Sequence, residues 1–199
     1  MHLQFRKSCL LITLPSDISR EEGLIFAKTE IEWLRRNLQR TAPSPNVWRH
    51  DTEFLFRGKP VKICVHGNTL SFANEKIQIP PEIADLRPLV EGRLQDIAER
   101  EMRMKVLLMA NRLHIPIKQV IIKKAASYWG RSATSKIITM DWRLIQAPAF
   151  VLDYVIYHEL AHQIEMNHSS AFWRIVADWC PNYKDAEAWL TRHPSIRLY

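Results

Sequence analysis

One eleven-residue stretch, His158 to His168, restricts the fold and chemistry of this chain more than any other. It contains the pattern His-Glu-x-x-His, followed by a third histidine six residues later. Two histidines four positions apart on a helix are turned by about 40° and displaced by about 6 Å along the axis, so both imidazoles can reach one metal ion. Glu159 follows the first histidine, where it can act as a base on a metal-activated water. The stretch therefore predicts a helix that carries a catalytic metal site.

The residues around this stretch predict a buried helix over about 149–166. Apolar side chains recur there at spacings of one, three and four: Val151, Leu152, Val155, Ile156, Leu160 and Ile164. Pro148 and Asp153 suit its first turns, where a missing N–H group is tolerated and a negative charge is favourable. Histidine nitrogens inside a buried helix need polar partners, and a metal ion supplies one. The context therefore favours a metal site over a chance match to the pattern.

The third metal ligand requires this helix to end. On an uninterrupted helix, His168 would lie about 9 Å beyond His162 and on a different face. Asn167 tolerates the left-handed conformation that closes helices, and the serines after His168 can cap a new helix. The spacing also matches HExxHxxGxxH, but Glu165 stands where that metzincin pattern requires glycine. The sequence favours His168 as the third ligand over a downstream carboxylate such as Glu187.

The rest of the chain predicts short strands that alternate with helices. Strands are predicted over 10–15, 53–57, 61–66, 69–72, 77–79, 117–125 and 136–141, and no strand is evident before residue 10. Helices are predicted from a capping box at 19–22 to about 38, and over about 83–113, 170–180 and 184–192, with a linker over 41–46. Leu94, Ile97, Met104 and Leu108 are expected to face inward from the long helix.

Composition limits the environment and the partners of the chain. The 199 residues are 47% hydrophobic and 25% charged, as in ordinary globular proteins. Cys9, Cys64 and Cys180 form neither a disulfide framework nor a CxxC metal knuckle. Since no apolar run is long enough for a signal peptide or a membrane span, we expect a cytoplasmic location and no membrane partner. The net charge of +7 leaves nucleic acid open as a partner, although no clustered basic motif indicates it.

Several segments around the metal-binding stretch resemble one known family. Residues 128–132 (YWGRS) and 137–148 resemble the strand-loop-strand that precedes the metal-binding helix of YgjP-like metallopeptidases. Residues 155–162 (VIYHELAH) and 166–173 (MNHSSAFW) are similar to the rest of that family's signature. The resemblance extends over about 85–193 and is looser toward the N-terminus.

The resemblance implies a fold, a cofactor and roles for individual residues. The fold would be the zincin fold, akin to that of WLM and SprT-like proteases. One Zn²⁺ ion would be held by His158, His162 and His168. Glu159 would be the general base.

A substrate cleft is expected beside the metal site. The family's usual Trp-Gly-Ser-Cys is here Trp129-Gly130-Arg131-Ser132, interpreted as a loop in which a cation replaces a small residue and a hydroxyl replaces a thiol. The strand over 136–140 is expected to be the sheet edge that pairs with an extended peptide. The expected cleft residues are Trp129, Gly130, Arg131, Ser132, Lys136, Ile137, Ile138, Thr139 and Met140. Open candidates for oxyanion support are Arg131, Tyr154, Tyr157 and Tyr183.

These features predict an α+β fold with a zincin-like metallopeptidase core, formed by a small mixed sheet, a long backing helix and the HExxH helix, and a small N-terminal α/β appendage. The predicted division is a strand-helix segment over 1–45, a small β region over 46–81 and a zincin-like, metal-binding catalytic domain over 82–199. The predicted function is a zinc-dependent metallohydrolase, most specifically a peptidase that cleaves a peptide or protein substrate. The alternatives are a metal-stabilised module associated with nucleic acid and a protease recruited to nucleic acid.

Overall fold

Two compact units, Met1–Asn46 and Val47–Tyr199, make up the chain in a computed structural model that describes residues 2–6, 9–13, 19 and 47–197. In the first unit, β1 (His2–Arg6) pairs antiparallel with β2 (Cys9–Thr13). β1 is a strand that the sequence analysis missed, although apolar and polar residues alternate along it as they do in strands. The helix predicted after residue 19 and the linker over 41–46 lie outside the described residues.

The second unit begins with a small β region. β3 (Glu53–Phe56) and β4 (Lys59–Lys62) form a hairpin, and β5 (Cys64–His66), β6 (Thr69–Phe72) and β7 (Glu75–Gln78) form an antiparallel meander. The predicted strand over 61–66 is thus divided between two sheets. Alternate side chains of this region are buried, and they belong to the same apolar core as the helices that follow: Phe54, Phe56, Leu70 and Phe72. The predicted division of the chain at residues 45 and 81 stays a prediction.

The turn of the β3–β4 hairpin packs against the start of a later helix. Arg57 and Gly58 both have positive φ, as a two-residue hairpin turn requires. The N–H of Gly58 donates to the carbonyl of Gln146 at 2.8 Å. A Cβ atom on Gly58 would lie 2.5 Å from the Pro148 ring, so only glycine allows this approach.

A 26-residue helix, α1 (Arg87–Arg112), packs along the sheet that carries the site. Pro88 lies in its first turn, where its missing N–H group is tolerated, and the helix starts four residues later than predicted. Leu94 and Ile97 are buried as expected. Met104 and Leu108 were expected to face inward, but they are 57% and 61% exposed. Val106 is fully buried instead, and helical geometry places it about 160° or more around the axis from both of them.

The central sheet has three strands in the order β8 (Gln119–Lys123), β10 (Ile137–Asp141) and β9 (Gly130–Ala133). β10 pairs parallel with β8 and antiparallel with β9, so the sheet is small and mixed, as predicted. The expectation that 136–140 forms the sheet edge was wrong, because a tight turn at Lys136 folds β9 onto β10. The segment over 129–132, expected to be a loop, instead contributes the edge strand β9.

The last part of the chain is helical. A 3-10 turn (Trp142–Gln146) leads into α2 (Ala149–Ala161), α3 (Ser170–Trp179) and α4 (Tyr183–Arg192), and a second 3-10 turn (Pro194–Arg197) follows. α2 packs against α3, α4 and β9, and it ends five residues before the predicted position. In the described parts of the chain, four helices and several small sheets confirm an α+β fold. Within the described parts of the chain, no helix is both long enough and apolar enough to span a membrane.

Candidate metal centre

Three histidine side chains converge at the end of α2. One ring nitrogen from each of His158, His162 and His168 lies within 4.8 Å of the other two. The Nε2 atoms of His158 and His168 are 3.1 Å apart. Converging imidazole nitrogens suit zinc among the divalent ions that proteins bind, and three of them leave a fourth position open. This donor set therefore fits a catalytic zinc ion.

The chain reverses direction between the second and third histidines. His162 caps the C-terminus of α2, and its N–H group donates to the carbonyl of His158 at 3.3 Å. The Glu165 carboxylate then accepts the N–H group of Asn167 at 3.3 Å. Asn167 does not have the positive φ that was expected of it. The helix ends earlier than predicted, and the turn after His162 gives the chain room to bring His168 back.

Hydrogen bonds on the far sides of two rings orient them toward the centre. His162 directs its Nδ1 atom at the carbonyl of Glu165, 3.2 Å away. His158 has its Nδ1 atom 3.4 Å from the Tyr154 hydroxyl. Burial and the neighbouring histidines lower the pKa of His158 to about 4, and burial also lowers the pKa of His162. Both rings are therefore neutral at neutral pH, as metal ligands must be.

Aromatic side chains of α3 enclose the histidines. The Phe172 ring is fully buried, and its centroid lies 4.4–4.9 Å from the centroids of all three imidazoles. Trp173 stacks on His168, with ring centroids 5.9 Å apart. Ser169 begins α3 by accepting the N–H group of Phe172, the type of cap that the sequence predicted. The role of Phe172 was not predicted. Its signal in the sequence is an apolar pair four positions apart, Phe172 and Val176, on one face of an amphipathic helix.

Glu159 lies beneath the edge strand, one residue after the first histidine. Its side chain packs against the backbone of Gly130, where an added Cβ would lie 2.5–2.8 Å from three Glu159 atoms. Only glycine at position 130 leaves room for this carboxylate. Glu159 is 4% exposed, and burial raises its pKa to about 8. A carboxyl group with this pKa can both take up and release a proton near neutral pH.

A second contact joins the end of α2 to the edge strand. The Gln163 amide donates to the Ser132 hydroxyl, and at 3.1 Å to the Ala133 carbonyl. Gln163 directly follows a candidate ligand, and no sequence signal marked it. Ser132 therefore acts in this structure as a hydrogen-bond partner of the turn that follows α2.

The expected cleft residues separate into those beside Glu159 and those away from it. Trp129 and Gly130 line a pocket of about 210 Å³ next to the candidate centre, together with Tyr154, Val155, His158, Glu159 and Leu190. Ile138, Thr139 and Met140 are buried within the central strand, and Ile137 is partly buried. Lys136 is exposed in the turn that precedes β10. The pocket therefore opens beside β9 rather than along β10.

Arg131 lies on the opposite face of the sheet from Glu159. Neighbouring residues of a strand point to opposite faces, and both Gly130 and Ser132 face the side chains of α2 and its C-terminal turn. Arg131 is exposed on the other side. This alternation contradicts the placement of Arg131 in a cleft over the metal site and removes the basis for its role as an oxyanion donor.

The three tyrosine candidates differ in their contacts. The Tyr154 hydroxyl donates to the Glu187 carboxylate at 3.0 Å and contacts His158. Burial, and next the charge of Glu187, raise the pKa of Tyr154 well above its usual range, so it keeps its proton. Tyr157 packs on Trp179, with centroids 6.1 Å apart. Tyr183 stacks on Trp173, with ring centroids 5.5 Å apart.

Comparison with known proteins places the chain in a family. The sequence profile described as YgjP-like, metallopeptidase domain, matches residues 1–193. No curated protein sequence matches the chain. The crystal structure of the metallopeptidase zymogen abylysin of Pyrococcus abyssi is similar over 46% of this chain and 93% of its own, with 23% identity and a TM-score of 0.41. Because the family profile covers nearly all of its length, the chain belongs to the YgjP-like metallopeptidases, a family of metal-dependent peptidases.

Proposed function

We propose that the chain is a zinc-dependent peptidase with a zincin-like centre, in which His158, His162 and His168 hold one ion and Glu159 is the general base. The observation that carries this proposal is the convergence of three histidine nitrogens within 4.8 Å, with a buried carboxyl group on the adjacent residue of the same helix. A structural zinc site has four protein ligands and no need of a base. A three-nitrogen site beside Glu159 is the arrangement expected of a hydrolase.

In the proposed mechanism, the metal ion, Glu159 and Gly130 have different roles. A bound zinc ion would polarise the scissile carbonyl and lower the pKa of a water molecule. Glu159 takes a proton from the attacking water and delivers it to the leaving amine. The raised pKa of Glu159 keeps the carboxyl group able to move this proton in both directions. Gly130 leaves the space that this carboxyl group occupies beneath β9.

The edge strand β9 is the proposed binding site for the peptide backbone. The N–H group of Asp141 donates to the carbonyl of Trp129 at 2.8 Å, and Gly130 stands opposite Met140. Hydrogen-bonded and non-bonded pairs alternate in antiparallel sheets, so Gly130 and Ser132 direct their backbone groups away from β10. An extended peptide can pair with these groups. Gly130 would then contact both the substrate and the general base.

The neighbouring pocket supports a preference for an apolar substrate side chain. The pocket has a volume of about 210 Å³, and its apolar walls are formed by Trp129, Val155 and Leu190. The described lining contains no cation, and its carboxyl group belongs to Glu159. A medium-sized aliphatic or aromatic side chain next to the scissile bond is the expected occupant.

The alternatives that involve nucleic acid stay predictions. Several cations along α1 face acidic partners rather than forming a bare basic surface: the pairs are Arg87–Glu91, Arg93–Glu75, Arg103–Glu99 and Lys105–Asp153. These contacts favour peptide hydrolysis as the function to test first.

The proposal is tested by hydrolysis of a pool of quenched fluorescent peptides, with the zinc content of each protein measured in parallel. The zinc-loaded chain should cleave peptides, and chelation followed by added zinc should abolish and restore cleavage. Glu159→Gln should keep about one zinc per chain and lose at least about 1,000-fold in kcat, because the base is gone. Asp185→Asn changes an exposed carboxylate on α4 and should behave as the parent. Undiminished turnover in Glu159→Gln would sink the mechanism.

A further inference from the structure

The hydroxyl of Tyr154 lies between one candidate metal ligand and a carboxylate on another helix. It is 3.4 Å from Nδ1 of His158, one turn further along α2, and 3.0 Å from Oε1 of Glu187 on α4. Tyr154 is 6% exposed, so water has little access to the hydroxyl. Glu187 is the residue that the sequence analysis considered as a rival third ligand. In the structure its carboxylate lies behind the histidine, against Tyr154.

The donor and acceptor groups that are present determine the direction of the two hydrogen bonds of the Tyr154 hydroxyl. A tyrosine hydroxyl has one proton to donate and lone pairs with which to accept. The hydroxyl of Tyr154 donates to Oε1 of Glu187, so its single proton points away from His158. The lone pairs of the hydroxyl then face His158 and accept its Nδ1–H group.

This direction leaves the other ring nitrogen free for a metal ion. A neutral imidazole with its proton on Nδ1 has an unprotonated Nε2 atom. The Nε2 atom of His158 is the one that lies 3.1 Å from Nε2 of His168. The tautomer that Tyr154 selects is therefore the tautomer that the candidate centre needs.

We propose that Glu187, acting through the Tyr154 hydroxyl, is a positioning residue that fixes the tautomer of His158 and strengthens its binding of the metal. The inference rests on the proposed metal site. An acceptor behind a ligating histidine raises the basicity of the ring and holds its orientation, and loss of such a partner typically weakens metal binding about 10–100-fold. Here a carboxylate supplies the negative charge and a tyrosine hydroxyl carries the hydrogen bond to the ring.

Packing is the competing explanation for Tyr154. Its ring contacts Tyr183 at 6.5 Å and His158 at 5.8 Å between centroids, so it could serve the core alone. Phenylalanine keeps the ring and removes only the hydroxyl. Tyr154→Phe therefore separates the two roles.

The experiment measures the zinc dissociation constant by competition with a chromophoric chelator at neutral pH. Tyr154→Phe should weaken zinc binding about 10-fold or more. Glu187→Ala should weaken it several-fold, whereas Glu187→Gln should recover most of the loss because its amide oxygen still accepts. Adding Glu187→Ala to Tyr154→Phe should cost nothing further, since the effect of Glu187 passes through the missing hydroxyl.

Tyr157→Phe is the matched control, because Tyr157 is adjacent to His158 and packs on Trp179. It should bind zinc within about twofold of the parent, and metal-free melting should show that each variant is folded. Zinc affinity of Tyr154→Phe within twofold of the parent would overturn the inference. So would equal losses from Glu187→Ala with and without the Tyr154 hydroxyl. A parent chain that binds zinc but cleaves no peptide would contradict the proposed function instead, whereas a parent that binds no zinc would remove both.

Discussion

The histidine segment, residues 158–168, and the edge strand β9 meet at Glu159. The residues that form the histidine segment are close together in the sequence, whereas β9 depends on contacts with residues that are distant in the sequence. His158, His162 and His168 fall within eleven residues, and local helix geometry brings the first two together. β9 depends on Met140 and Ile138 in the sheet and on Glu159 and Gln163 more than 25 residues away. Local spacing thus indicates the chemistry of the site, whereas distant contacts orient the base and the substrate edge.

The largest expected effect concerns the histidine ligands, which lie close together in the sequence. His168→Ala removes one of three proposed ligands and should weaken zinc binding by more than about 100-fold, beyond the usual effect of an outer partner. Chelator competition and metal analysis measure the loss. Glu187→Ala is the control, with a smaller loss. If His168→Ala retained one zinc with parental affinity and Glu187→Ala lost it, the third ligand would be the carboxylate.

Gly130→Ala tests the contact between β9 and Glu159, two regions that are distant in the sequence. The added methyl group would displace Glu159, and kcat should fall about 100-fold, since small misplacement of a catalytic group costs this much, while zinc affinity stays close to that of the parent. Steady-state kinetics and chelator competition separate the two effects. Gly92→Ala is the matched control, because a Cβ on Gly92 meets no atom within 4 Å. Equal activity of the two variants would show that Glu159 is not held by β9.

The burial of Glu159 should appear as a pH dependence of stability in the metal-free protein. The pKa of Glu159 is about 8 in the folded chain against 4.5 as its model value, so the folded state retains a proton that the unfolded state loses. Stability is therefore lost as pH rises from about 4.5 through 8.

Glu159→Gln removes this titration, and in chelator it should become more stable than the parent as pH rises. We expect a difference of about 4–5 kcal/mol at pH 8.5, from about 1.4 kcal/mol per pKa unit over the shift from 4.5 to about 8. Thermal melts of both proteins from pH 5 to pH 8.5 give the difference. His158 titrates in both proteins, so its contribution cancels to first order. A difference that does not change with pH would mean that the carboxyl group is solvated.

The smallest effect concerns the hydrogen bonds that join the turn after α2 to the edge strand β9. Gln163→Ala removes the hydrogen bonds to Ser132 and Ala133, and it should cost about 1 kcal/mol of stability. If β9 binds the substrate, KM should rise a few-fold more than kcat falls. Denaturant melts and initial rates measure the two quantities. A change in kcat alone would indicate that Gln163 acts on the metal ligands rather than on the edge strand.

Features that depend on a single helix or strand were predicted correctly. The capping serine at the start of α3 follows from a local pattern, and it is present in the structure. Within α1, the same patterns placed Leu94 and Ile97 correctly but Met104 and Leu108 wrongly. An apolar pattern identifies a face of a helix, but the residues of that face are buried only along the part that a neighbouring element covers.

The amino-acid sequence by itself determined the family, the α+β class and the candidate metal chemistry, because ligand spacing on a helix is a local property. Only the tertiary structure decided that β9 rather than β10 is the sheet edge, that Arg131 faces away from Glu159, and that Glu187 stands behind His158. Each of these depends on which strands pair and which helices pack together. A sequence does not state those pairings directly, and shifting the register of a strand by one residue reverses the face to which its side chains point.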